Sequence, residues 1–167
     1  SSQIINSLFI MLGLQQDDWI TKQQQQEEKS LDHLSILVAE DDPTNRLVIR
    51  AILKNMNIQH EIVSNGKLAL DSYSDEPDRF QMILMDCEMP ELNGYDATLA
   101  IRQFEKDHGY KPIPIVALTA HVLDEFVERC IACGMNQVIA KPIHIHELTE
   151  AIIRLCDVDA ALDLMEQ

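Results

Sequence analysis

The chain has 167 residues, 46% of them hydrophobic, which suits one domain of about 100–200 residues with a buried core and a tail. Its 28 acidic residues against 13 basic ones give a formal net charge of −15. Such a surface repels phosphates, which argues against a nucleic-acid partner and suits a protein that docks other proteins or holds cations.

Residues 1–14 read as an amphipathic helix, with Ile4, Ile5, Leu8, Phe9 and Leu12 at helical spacing on one stripe. This stretch lacks the basic start and small-residue cleavage site of a signal peptide. Residues 15–33 turn polar, with the run Gln23-Gln24-Gln25-Gln26-Glu27-Glu28, and read as a linker. From residue 34 short β-rich runs alternate with helical periods. Strands are expected at Ser35–Ala39, Ile58–Val63, Met82–Met85, Ile115–Leu118 and Gln137–Ala140. Helices are expected at Thr44–Asn55, Lys67–Tyr73, Tyr95–Lys106, Leu123–Cys133 and His144–Leu155. Residues 157–167 form a C-terminal extension. This alternation means parallel βα units with helices on both faces of the sheet. No apolar run is long enough to span a bilayer. Cys87, Cys130, Cys133 and Cys156 form no small-domain disulfide framework, so a reducing, cytoplasmic compartment is expected, without direct membrane contact.

In open α/β sheets, ligands bind at the carboxyl ends of the strands, where the strand order reverses. Glu40, Asp41 and Asp42 follow the first expected strand, Asp86 the third, Thr119 the fourth and Lys141 the fifth. Clustered carboxylates repel one another unless a cation neutralises them. Hard oxygen ligands suit Mg²⁺, which usually shares its shell with water and phosphate. A lysine and a hydroxyl nearby stabilise a transferring phosphoryl group, and a carboxylate can be the nucleophile that receives it. Any one of these residues could be an ordinary loop residue or cap; their joint placement after the right strands points to phosphoryl transfer to Asp86. Asp42-Pro43 reads instead as a helix N-cap followed by proline at the first helical position.

Four runs carry a resemblance: Ile36-Leu37-Val38-Ala39-Glu40-Asp41-Asp42-Pro43-Thr44-Asn45-Arg46; Met85-Asp86-Cys87-Glu88-Met89-Pro90 with Gly94 following; Ala117-Leu118-Thr119-Ala120; and Lys141-Pro142-Ile143. In this order they resemble two-component receiver domains over residues 34–156. The wording around Asp86-Cys87 and Cys130 to Asn136 is most similar to receivers of bacterial hybrid sensor histidine kinases. The resemblance implies a flavodoxin-like three-layer α/β/α sandwich with five parallel strands in order 2-1-3-4-5. It implies Asp86 as the phosphorylated aspartate, Glu40 and Asp41 as metal-binding acids, and Asp86 and the Glu88 carbonyl as further Mg²⁺ ligands. Thr119 and Lys141 become the hydroxyl and the ammonium that contact the phosphoryl group, with a cis Lys141–Pro142 bond aiming the lysine. Glu88 and His121 occupy the positions that border the phosphoryl group and tune its lifetime; an ordinary surface histidine is the alternative for His121. Val138 stands where many receivers carry an aromatic switch residue.

The implied partners are a histidine kinase domain and a histidine phosphotransfer domain, with the parent chain a hybrid kinase compatible with an inner-membrane anchor. Residues 1–14 resemble the last helix of a preceding receiver; a self-association helix is the alternative. Two rival functions are a Mg²⁺-dependent phosphohydrolase with an aspartyl nucleophile and a phosphorylation-independent docking module. The first typically needs an aspartate where Glu88 stands; the second usually lacks Asp86, Lys141 or the acid pair. Cys130 and Cys133 form a C-x-x-C without a second ligand pair and read as packed thiols, as does Cys87. His144 and His146 do not share a helical face and read as solvated or capping groups.

Overall fold

The computed structural model describes Leu31 and residues 33–156; the expectations for residues 1–30 and 157–167 lie outside the described residues. The elements in chain order are β1 (Ser35–Ala39), α1 (Pro43–Asn55), β2 (Gln59–Val63), α2 (Gly66–Asp75), β3 (Met82–Asp86), α3 (Gly94–His108), β4 (Ile115–Thr119), α4 (Asp124–Cys133), β5 (Gln137–Ala140) and α5 (Ile145–Cys156). All strand pairs are parallel and the sheet order is β2-β1-β3-β4-β5, the flavodoxin-like arrangement. The central strands β1, β3 and β4 are buried at every residue, which is why they read as unbroken apolar runs. Edge strand β2 (QHEIV) carries polar residues. None of the described helices is long and apolar enough to cross a membrane.

Two cores sandwich the sheet. Ile49, Ile52 and Leu53 of α1 pack with Leu148 and Ile152 of α5 on one face, and Leu31 joins them. Tyr73 of α2, Tyr95 and Ile101 of α3, and Cys130 of α4 cover the other. Helix boundaries follow local chemistry. The Asp42 carboxylate accepts the Thr44 N–H at 2.8 Å, with Pro43 at the first helical position. Asn65 and Asn93 cap α2 and α3 in the same way. Gly109 and Gly134 end α3 and α4 at φ +72° and +112°. Leu123, expected inside α4, is its N-cap and has no side-chain bond to offer.

At the amino edge of the sheet, the buried Glu105 carboxylate gathers three donors. Tyr73 Oη lies at 2.9 Å, the Ile113 N–H at 2.6 Å and Arg102 Nη1 at 2.8 Å. Arg102 also donates to the Gly134 carbonyl, at 2.9 and 2.7 Å, and to Asn136 Oδ1 at 3.0 Å. One ion pair thus ties α2, α3 and the segments flanking β4 and β5, and its satisfied hydrogen bonds offset the desolvation of the charge.

Gly94 shows how closely the opposite edge is built. Its N–H donates to the Cys87 carbonyl at 3.1 Å, and a Cβ at this position would overlap the carbonyl oxygen of Asp86. Gly94→Ala is expected to lower stability by about 1–3 kcal/mol through this overlap. Gly109→Ala, where a Cβ meets open space, should cost only about 1 kcal/mol from its positive φ. Urea midpoints at unchanged slope measure both.

Candidate phospho-acceptor and cation site

The strand register builds the site. Ala39 pairs with Met85, Asp86 with Leu118, and Thr119 with Ala140. Glu40, Asp86, Thr119 and Lys141 therefore emerge side by side at the carboxyl edge, around the β1/β3 switch point where the connections diverge. They line a cleft of about 190 Å³ together with Asp41 and Glu88.

Glu40 is fully buried. Its Oε1 accepts the Asp42 N–H at 3.1 Å and Asn45 Nδ2 at 3.5 Å. Asp86 is 4% exposed, and its Oδ1 accepts the Glu88 N–H at 3.2 Å. Lys141 Nζ reaches both acids, 3.0 Å from Glu40 Oε2 and 3.1 Å from Asp86 Oδ2. The Lys141–Pro142 bond is cis. Asp41 is exposed at the mouth, and one oxygen each from Glu40, Asp41 and Asp86 lie within 4.8 Å of one another.

These contacts fix the electrostatics. Burial, then the Glu40 charge, pushes the Asp86 carboxyl up to about 7, against the opposing pull of Lys141. Burial works against the Lys141 ammonium, yet its hydrogen bonds to Glu40 and Asp86 win and raise its pKa. Glu40 Oε2 is buried and touches the Lys141 ammonium, but no donor is aligned to hydrogen-bond it. A buried acceptor with spare capacity, beside two more carboxylates, fits a hard divalent cation such as Mg²⁺.

The remaining sequence-derived positions fall around this cleft. Thr119 is buried, and its Oγ1 accepts the His121 N–H at 3.0 Å. Glu88 and His121 meet at the rim, with Oε1 and Nε2 3.6 Å apart, and the imidazole stacks on Phe126 at 5.1 Å. Val138 is half-buried beside Ala117 and packs against the core on the α2/α3/α4 face. His144 and His146 are exposed at the start of α5, away from the cleft lining. Sequence reasoning missed two features. Asn45 sits on Glu40, a contact that its place one turn into α1 could have suggested. Cys87 pairs with Cys130 at 3.6 Å between sulfurs, whereas the conspicuous C-x-x-C does not bring its own thiols together.

The sheet order and the acid–lysine cleft define the class: a flavodoxin-like domain with an acidic pocket suited to a cation and a phosphoryl group. The chain belongs to the response regulator receiver domain family, whose model matches residues 36–153. The sensor histidine kinase GacS of Pseudomonas protegens is 35% identical over 119 residues, covering 71% of this chain and 13% of that protein. Hybrid signal transduction histidine kinase I of Dictyostelium discoideum is 38% identical over 120 residues, covering 70% of this chain and 7% of that protein. The chain thus spans a small part of the curated relatives it matches. Among solved structures, a sensor histidine kinase receiver from Pseudomonas aeruginosa, with magnesium coordinated in its active-site cleft, is 38% identical with a TM-score of 0.66, covering 74% of this chain and 97% of that one. The receiver of the histidine kinase CKI1 from Arabidopsis thaliana, complexed with Mg²⁺ and BeF₃⁻, is 30% identical with a TM-score of 0.69, covering 78% and 94%. A Saccharomyces cerevisiae response-regulator receiver, co-crystallised with a histidine phosphotransfer signalling protein, is 27% identical with a TM-score of 0.73, covering 78% and 93%.

The raised Asp86 pKa gives a signed prediction. Between about pH 4 and 7 the folded carboxyl holds a proton that the unfolded chain has released. Stability from this group therefore falls as pH rises through that window and stays low above it. In metal-free buffer at pH 8, Asp86→Asn should be more stable than the parent by the order of 1 kcal/mol, since it removes a buried like charge beside Glu40. The gain should vanish near pH 4 and shrink when millimolar Mg²⁺ is added. Thermal melts of both proteins with chelator and with Mg²⁺ measure it.

Proposed function

We propose that Asp86 accepts a phosphoryl group from a phosphohistidine and returns it to, or passes it on to, a histidine phosphotransfer partner. The observation that carries this reading is the Lys141 ammonium held between Asp86 and Glu40 at one edge of the sheet. An Asp86 oxygen attacks phosphorus, the P–N bond breaks, and the imidazole leaves with the bonding pair. Lys141, already 3.1 Å from Oδ2, neutralises a phosphoryl oxygen. The Thr119 hydroxyl leaves its contacts with the His121 backbone and donates to another. Glu40, Asp41, Asp86 and the Glu88 carbonyl would hold Mg²⁺, which when bound supplies charge neutralisation for the carboxylates and the phosphoryl oxygens. Glu88 and His121, at the rim, control how water reaches the phosphoaspartate.

Relatives that match include histidine kinases, among them three hybrid kinases of Dictyostelium discoideum, and one structural neighbour is bound to a histidine phosphotransfer protein. Both facts support a phosphorelay role within a larger kinase and the two partners that role requires. The test is incubation with Mg²⁺ and a small acyl phosphate, followed by intact mass and peptide mapping. The expected result is one phosphoryl group on the Asp86 peptide, and none on folded Asp86→Asn. Full uptake by Asp86→Ala would sink the assignment. Asp41→Asn should weaken Mg²⁺ binding by roughly tenfold, or about 1.4 kcal/mol, by removing one carboxylate from the cluster. Calorimetric titration reads this.

Val138 bears on output. It is β-branched, stiff at its first torsion and has no ring to rotate. The response to phosphorylation is expected to stay in the loops after β3 and β4, where a phosphotransfer partner would reach Asp86. Amide chemical shifts with and without beryllofluoride check this. Large shifts along α4 and α5 would show that the distal face switches without an aromatic residue.

A further inference from the structure

We propose that Cys87 and Cys130 form a reversible intrachain disulfide, a modification site through which oxidation acts on the phospho-acceptor edge. The two thiols come from the turn after β3 and from the second turn of α4, 43 residues apart in sequence, and their sulfurs lie 3.6 Å from each other. This is van der Waals contact, and a bond at about 2.05 Å needs a further approach of roughly 1.5 Å. The other two cysteines do not compete. The Cys133 thiol donates to the Cys130 carbonyl at 3.0 Å, and Cys156 packs with the core on the opposite sheet face.

A route to Cys87 exists. A surface hollow of about 270 Å³ reaches Cys87 and is lined by Glu88, Met89, Tyr95, Phe126 and Arg129. Arg129 lies over the Tyr95 ring at 3.9 Å, beside the hollow. A peroxide fits this hollow. One thiol, as thiolate, attacks a peroxide oxygen, the O–O bond breaks, and a sulfenic acid and water result. The second thiol then displaces hydroxide, which takes its proton and leaves as a second water. Two electrons pass from the sulfur pair to the peroxide. Cys87 and Cys130 are both buried, which limits access to an oxidant. Oxidation therefore calls for sustained exposure to the peroxide.

The consequence rests on the function proposed above. Cys87 adjoins Asp86, its N–H bonds the Leu118 carbonyl at 3.1 Å, and the next N–H, from Glu88, bonds Asp86 Oδ1 at 3.2 Å. Drawing Cys87 toward α4 displaces this turn and ties it to the helix that follows the Thr119 loop. Phosphoryl uptake should slow several-fold in the oxidised protein and recover on reduction.

The whole chain is treated with hydrogen peroxide, alkylated, and read by intact mass and peptide mapping. The expected result is loss of two hydrogens, a cross-linked pair of peptides containing Cys87 and Cys130, and reversal by dithiothreitol. Cys133→Ser should still cross-link; Cys87→Ser and Cys130→Ser should not. The wild-type map alone decides the point if either serine variant fails to fold. A cross-link between other cysteines, sulfinic acid without a cross-link, or no change in mass would overturn the proposal. The same samples are then given Mg²⁺ and an acyl phosphate. Equal uptake before and after oxidation would overturn the coupling, whereas no uptake by the reduced protein would overturn the phospho-acceptor reading and leave the disulfide result standing.

Discussion

The site depends on negative charge held together against its own repulsion. Glu40 and Asp86 are both buried, and the Glu40 charge raises the cost of ionising Asp86. Lys141 is the one cation placed between them among the described residues, 3.0 Å from one and 3.1 Å from the other. It leaves the cluster incompletely neutralised: Asp86 is still pushed up toward neutrality, and Glu40 Oε2 lacks an aligned donor. The residual demand for positive charge makes the cleft a receptor for a divalent ion, and a metal-loaded cleft attracts a phosphoryl group.

Everything else in the fold positions that cluster. Parallel pairing brings the strand ends level, so residues far apart in sequence meet at one edge. The N-caps Asp42 and Asn93 start α1 and α3 directly behind the site, and Gly94 lets α3 begin against the Asp86 carbonyl. At the other edge, the Glu105–Arg102 pair contrasts with the site in every respect. Both Glu105 oxygens have aligned donors from Tyr73, Ile113 and Arg102, and Arg102 also reaches Gly134 and Asn136. Buried charge is thus more completely paired at one end of the sheet than at the other.

The surface around the cleft differs from the pocket itself. Glu88 and His121 are exposed and loosely paired, which leaves them free to change without disturbing the buried acids. Val138 keeps the β5 position small, with no aromatic ring on that strand.

The sequence by itself determined the strands, the helices and their alternation, because the central buried strands are apolar along nearly their whole length and the starts of α1, α2 and α3 carry a capping oxygen. It also placed acids, a hydroxyl and a lysine after the right strands, which suffices because parallel strands all end on one side. Boundaries shifted where backbone geometry outweighs side-chain pattern: Asp86 belongs to β3 itself, and Leu123 stands outside α4. Only the tertiary structure decided which groups touch. The spacing of Cys130 and Cys133 does not show that Cys130 meets Cys87, and nothing local to residue 105 marks Glu105 as the partner of Tyr73. Those contacts arise between segments about 30 to 40 residues apart, brought together by helix packing on a twisted sheet, a three-dimensional constraint that leaves no periodic trace along the chain.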